Sequence, residues 1–163
     1  MRPLREHNHP RQRGQTVTGT INFFVPGEPV PEGSTKYVGH AAGRPILVHT
    51  DPDLPQWRQT IGNVAALYAR QAGWILPLEE PISIRAVFFM PKPPRTKFKD
   101  SPARKPDLDK LIRAVGDALA PKGGRGVIRE DGRIIRWLAE KRWADEKHPA
   151  GVDLAIVRQE VPF

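Results

Sequence analysis

Cysteine is absent from this 163-residue chain. Its absence excludes disulfides, a thiol nucleophile and cysteine-ligated zinc. The histidines do not replace it as a metal framework, because His7, His9, His40, His49 and His148 are scattered without ligand spacing. Aromatic residues make up only 7% of the chain and are dispersed, which argues against a base-stacking platform for single strands. No continuous apolar run is long enough to cross a bilayer. Charge and proline continue where a secretory signal would need an apolar stretch. The expectation is a soluble, cytoplasmic protein with no membrane partner. Serine catalysis has no support either, since Ser34, Ser83 and Ser101 stand in no marked context.

Positive charge, in contrast, is plentiful. A formal net charge of +8 favours a polyanionic partner, with nucleic acid and an anionic membrane surface both fitting that signal alone. Much of the charge is concentrated. The segment PKPPRTKFKDSPARKP, residues 91–106, holds six Lys or Arg, among them Lys97, Lys99, Arg104 and Lys105, against one Asp. Its prolines rule out a regular element, so it must be an exposed loop.

Around that loop the hydrophobic pattern predicts one α+β domain over residues 19–163, a mixed sheet packed by two main helices. Residues 1–18 are basic, polar and aperiodic, and are expected to be a disordered tail. INFFV (21–25) reads as a strand ended by Pro26-Gly27, and a short hairpin is expected around Lys36–Val38 and Ile46–His49. Pro55 opens a helix over 55–72, with Trp57, Ile61, Val64, Ala65 and Tyr68 at helical spacing and Gly73 at its end. PISIRAVFFM (81–90) is a strand suited to a buried sheet position. A second helix over 107–120 carries Leu108, Leu111, Ile112, Val115 and Leu119 on one stripe, with Asp109, Arg113 and Asp117 on a more polar face. PKGGRG (121–126) reads as a flexible link, and 132–143 and 151–158 as a closing pair of strands. The GGRG within that link lacks the Lys-Ser/Thr ending of a P-loop and follows a helix, so nucleotide hydrolysis is not expected.

The stretch with most chemical content is KPDLDKLIRAVGDAL, residues 105–119. Two residues apart on a regular helix, Asp107 and Asp109 would point about 200° apart. They can converge only if Asp107 sits at the cap or in the preceding loop, and Pro106 favours that placement. Two such carboxylates suit a hard cation assisted by the positive end of the helix. The plainer alternative makes Asp107 a helix cap and Asp109 a favourable first-turn acid. Glu130-Asp131-Gly132 supplies a second acidic pair, whose plain reading is a solvated turn. Asp131 near Asp107 and Asp109 would complete an all-oxygen site for Mg²⁺. These acids lie among Arg104, Lys105, Lys110, Arg113, Arg125, Arg129, Arg133 and Arg136. Metal-assisted phosphodiester cleavage needs such a mixture, since basic groups hold the backbone while acids hold the ion.

The ordered set Asp107-Leu108-Asp109 with Leu111, Asp117-Ala118-Leu119, Glu130-Asp131, Arg133-Ile134 and Glu140-Lys141-Arg142 resembles the RusA-type Holliday junction resolvases. VPGEPVPEGSTK (25–36) is similar to that family's strand-then-proline opening, so the likeness covers about residues 21–158. It implies a Mg²⁺-dependent endonuclease, with Mn²⁺ as a substitute, acting as a homodimer on four-way DNA junctions in recombination and repair. Asp107, Asp109 and Asp131 are then the catalytic metal ligands, with Glu130 an auxiliary acid. Arg113 stands where the family has a lysine, and arginine can bind phosphate but is a poor proton donor. Lys97, Lys99, Arg104, Lys105, Lys110, Arg125, Arg129, Arg133 and Lys141 are the candidate DNA contacts. Asp117 is expected to brace the helix. Phage, prophage and bacterial chromosome remain open as the source. The alternative of another class is a non-catalytic DNA-binding or phage accessory protein, whose acids are only caps and turns.

Overall fold

The computed structural model describes residues 19–33, 35–49 and 51–159. The expected tail, residues 1–18, lies outside them. Among the described residues, six strands and two helices follow in the order β1 (Thr20–Pro26), β2 (Thr35–Ala41), β3 (Arg44–His49), α1 (Leu54–Gln71), β4 (Ile82–Met90), α2 (Leu108–Leu119), β5 (Ile134–Trp143) and β6 (Gly151–Arg158). A 3₁₀ turn, Asp131–Arg133, leads into β5. The predicted α+β class and both helices are observed.

The main sheet has the order β1-β6-β4-β5, and β2 and β3 form a separate hairpin. The two closing strands are present but do not pair with each other, because β4 lies between them. β6 is antiparallel to β4, whereas β5 runs parallel to it. The parallel pairing requires a long crossover. That crossover consists of the basic loop, α2 and the 3₁₀ turn.

Alternation along the strands sends one side chain in two towards the helices. Ile82, Ile84, Ala86, Phe88 and Met90 of β4 join Val152, Leu154 and Ile156 of β6 and Ile21, Phe23 and Val25 of β1 in the core. The helices close that core with Leu54, Trp57, Ile61, Ala65 and Ala69 from α1 and Leu111, Ala114, Val115, Ala118 and Leu119 from α2. Nearly complete burial of an aliphatic side chain is worth about 1.5–3 kcal/mol, so this single layer dominates the stability of the fold. Where the helices cross, a Cβ on Gly62 would lie 2.9 Å from the Ala118 carbonyl oxygen. Glycine there lets the two helix backbones meet.

The link after α2 is firmer than its composition suggests. Ile128 N–H donates to the Leu119 carbonyl, and Leu78 and Arg129 N–H groups donate to the Val127 and Leu78 carbonyls. Val127 and Ile128 are buried. A Cβ on Gly126 would fall 2.2 Å from the Leu119 carbonyl oxygen, so the chain folds back on the end of α2 only with glycine at that position. The outcome is a fixed start for the segment carrying Glu130 and Asp131.

Candidate nuclease site

Asp107 occupies the position just before α2, with an extended backbone at φ −71°, ψ 140°. That placement removes the helical projection that would send it away from Asp109. Its side chain makes no capping hydrogen bond. The carboxylate is therefore not spent on the helix, as the plain capping alternative requires. Among the described residues it forms one ion pair, an exposed one with Lys110 at 4.0 Å. Asp109 lies in the first turn of α2, where the positive end of the helix favours an acid. Asp131 opens the 3₁₀ turn, which packs against α2. All three acids are exposed, and the carboxylates of Asp109 and Asp131 have no ion-pair or hydrogen-bond partner among the described residues.

Exposed carboxylates on a helix start and an adjoining turn are suitable donors for a hard divalent ion. Their convergence is a separate matter. Among the described residues, no three His, Cys, Asp or Glu side chains gather as a metal-holding group. The structure thus brings the three acids onto adjoining elements without closing them around a common point.

A cleft of about 740 Å³ opens beside Asp107. Lys105, Pro106 and Lys110 line one wall, and Pro26–Pro31 and the start of α1 line the other. Asp51 and Asp53 also face this cleft, and sequence reasoning missed them. The signal was an Asp-Pro-Asp spacing just before a helix, the same spacing as Asp107 and Asp109. Asp53 likewise makes no side-chain cap bond, although its own N–H donates to Asp51 Oδ1 at 2.9 Å.

The basic residues fall into distinct environments. Arg104, Lys105 and Arg113 are exposed, with the last four residues beyond Asp109 on α2. Lys97 and Lys99 are exposed on the basic loop, where the Lys97 ammonium lies 5.1 Å from the centre of the Phe98 ring. Arg125 lines a separate groove with Arg58, Arg70 and Lys122, at the far end of α2. Arg129 donates to Glu79 through Nε at 2.8 Å and a terminal nitrogen at 2.7 Å, and Arg133 reaches the same carboxylate at 3.3 Å. The Arg129 hydrogen bond, chiefly, holds the Glu79 carboxyl below its ordinary pKa. Arg133 also pairs with Glu130 at 3.5 Å. Lys141 Nζ donates to the carbonyl oxygens of Arg104 and Pro106 at 2.7 and 2.9 Å.

Asp117 has an answer of its own. It accepts a hydrogen bond from Arg58 at 3.0 Å, and the same guanidinium pairs closely with Glu32. One arginine of α1 thus ties α2 to the segment after β1, and the Glu32 N–H adds a bond to the Lys110 carbonyl at 2.9 Å. That brace sets the spacing of the cleft walls.

No curated protein matches the chain. A solved structure from Agrobacterium tumefaciens, of the protein Atu1372 with unknown function, is similar at 18% identity over 81% of this chain and 83% of that one. The TM-score of that pair is 0.37. The family profile described as "Endodeoxyribonuclease RusA" matches residues 26–156, which takes in β1's end, both helices, all three acids and most of β6. With that match extending over most of the chain and spanning the strand, helix and turn that place Asp107, Asp109 and Asp131, this chain belongs to the RusA family of endodeoxyribonucleases.

Proposed function

We propose that the protein is a Mg²⁺-dependent endonuclease that hydrolyses phosphodiesters in branched DNA, four-way junctions above all, in recombination and repair. The observation that carries this reading is Asp107, which sits at a helix start yet leaves its carboxylate uncommitted to capping. Lys105 and Lys110 flank it in the cleft, where they would hold the phosphate backbone and bring the scissile bond to the acids. Arg104, Lys97 and Lys99 would extend that basic surface along the loop, while Arg125, in a separate groove, and Arg129 and Arg133, paired with Glu79, would meet DNA beyond α2. Asp107, Asp109 and Asp131 would hold the ion, which when bound activates water or stabilises the leaving oxygen, with Mn²⁺ as a substitute. Arg113, four residues beyond Asp109, neutralises charge developing on the phosphate, while water and not its guanidinium supplies the proton. A homodimer would present two such sites to strands of opposite polarity. A bacterial cytoplasm, with or without a phage as the source of the gene, is the setting in which that substrate arises.

A second reading has one observation in its favour. The three acids do not gather as a metal-holding group among the described residues, as expected of a DNA-binding protein without catalysis. One experiment separates the two. Purified protein is incubated with matched four-way, forked and linear duplex DNA, with and without Mg²⁺, alongside Asp109→Asn. Metal-dependent cleavage of the junction, lost in the variant while binding persists, supports the nuclease. Binding with no cleavage under any metal condition supports the alternative.

A further inference from the structure

The basic loop between β4 and α2 has no strand or helix of its own, so side chains must fix its path. Two of them come from the end of β5. Trp143 Nε1 donates to the Phe98 carbonyl at 2.9 Å, and Lys141 Nζ donates to the Arg104 and Pro106 carbonyls at 2.7 and 2.9 Å. The two residues are spaced to share one face of the strand, and their register partners on β4 are the core residues Met90 and Phe88.

We infer that Lys141 is a positioning residue that fixes the chain delivering Asp107 into the cleft. This rests on the role proposed above for Asp107. The carbonyls of Arg104 and Pro106 lie on either side of Lys105, so one ammonium fastens the chain at two points immediately before Asp107. An ammonium has three N–H donors, and hydrogen bonds from a charged donor are stronger than neutral ones. Pro106 has no N–H with which to tie itself down. The residue is half-buried, in contrast to exposed Lys105, whose side chain is free to meet a phosphate. Lys141 therefore acts on the reaction through the backbone it holds.

Positioning and phosphate binding give opposite results when charge is conserved. Lys141→Arg keeps the positive charge, but its planar fork does not reproduce a point donor set between two carbonyls. Junction binding without divalent metal should keep its affinity and its salt dependence. Single-turnover cleavage at saturating protein should fall about 10- to 100-fold, as when an outer partner of a metal ligand is lost, and the Mg²⁺ midpoint should rise. Lys141→Met, which removes the donors and keeps the stem, should add faster amide exchange across residues 103–108. A Lys141→Arg protein that cleaves like the parent, together with a Lys141→Met salt slope shallower by about 0.9, would make Lys141 a phosphate contact and overturn the inference. Parent protein that cleaves no DNA sinks the nuclease reading instead. In that event amide exchange in either variant still decides whether Lys141 fixes this segment, and unchanged exchange in both rejects it.

Discussion

Replacing Asp107 by asparagine and, separately, by alanine distinguishes a helix cap from a functional carboxylate. Both substitutions remove the charge. They therefore lose equally the exposed 4.0 Å pair with Lys110 and the interaction with the positive end of α2. Neither term should exceed about 0.5 kcal/mol at so open a site. Only asparagine retains a capping oxygen. If capping were the role of this residue, alanine would be less stable than asparagine by about 1 kcal/mol. The side chain makes no such bond, so the two variants should agree within about 0.3 kcal/mol. At a urea slope of about 2 kcal/mol/M, capping would separate their midpoints by about 0.5 M, and its absence by less than about 0.2 M. The same preparations are then assayed on four-way junctions under single-turnover conditions. Both should lose cleavage by at least about 100-fold, since an outer partner alone costs 10- to 100-fold and this is a proposed ligand itself. Midpoints about 0.5 M apart, with asparagine still cleaving, would return Asp107 to the structure of the helix.

Other outcomes are equally open to measurement. Replacing Lys97, Lys99, Arg104 and Lys105 together should weaken junction binding and reduce its log–log salt slope by about 0.9 for each phosphate no longer neutralised; an unchanged slope in a salt titration would place the loop away from DNA. Arg113→Ala should lose most single-turnover cleavage and Arg113→Lys should keep much of it, because the role proposed for this residue needs positive charge and not a guanidinium in particular. Gly62→Ala should destabilise the protein by about 1–3 kcal/mol in urea denaturation, because its Cβ meets the Ala118 carbonyl oxygen at 2.9 Å and the helices must move apart. Glu79 is more acidic in the folded chain than free, mainly through Arg129. Its share of stability is therefore present above its ordinary pKa and is lost as pH falls through the lowered one. Glu79→Gln should flatten the acid limb of a stability–pH curve over that interval, and an unaltered limb would deny the pair any weight.

Local periodicity carried much of this fold. The stripe on α2 predicts burial of Leu111, Val115 and Leu119, and all three are fully buried. In α1, Trp57, Ile61 and Ala65 are buried as spacing predicts, but Tyr68 is 40% exposed and stacks on Phe23 at 5.4 Å between ring centres. Its hydroxyl makes a half-wet position acceptable. Strand order was not legible, since alternation marks a strand's buried face and says nothing of its neighbours. Pairing over long sequence distance was equally hidden. Arg58 finds Asp117 and Arg129 finds Glu79 across the fold, and no spacing rule connects such residues. At the site, proline before Asp107 signalled a cap or loop position for it, and its extended backbone agrees. That its carboxylate makes no capping bond, and that Asp51 and Asp53 face the same cleft, shows only in the folded chain.

The crossover between β4 and β5 has a kinetic consequence. Asp107, Asp109, Arg113 and Asp131 all belong to the stretch of chain between Met90 and Ile134, whose flanking strands pair in parallel. The entropy of closing that long loop opposes pairing before any strand contact rewards it. Helix α2 can begin to form from neighbouring residues, whereas the place of Asp131 is set by contacts further apart in sequence, through Leu78 and β5. After dilution from denaturant, helical signal should rise ahead of the sheet, and any activity should return with the sheet. Lesions in the outer strand that spare Lys141 and Trp143 would then delay maturation of the site while leaving each of its residues intact.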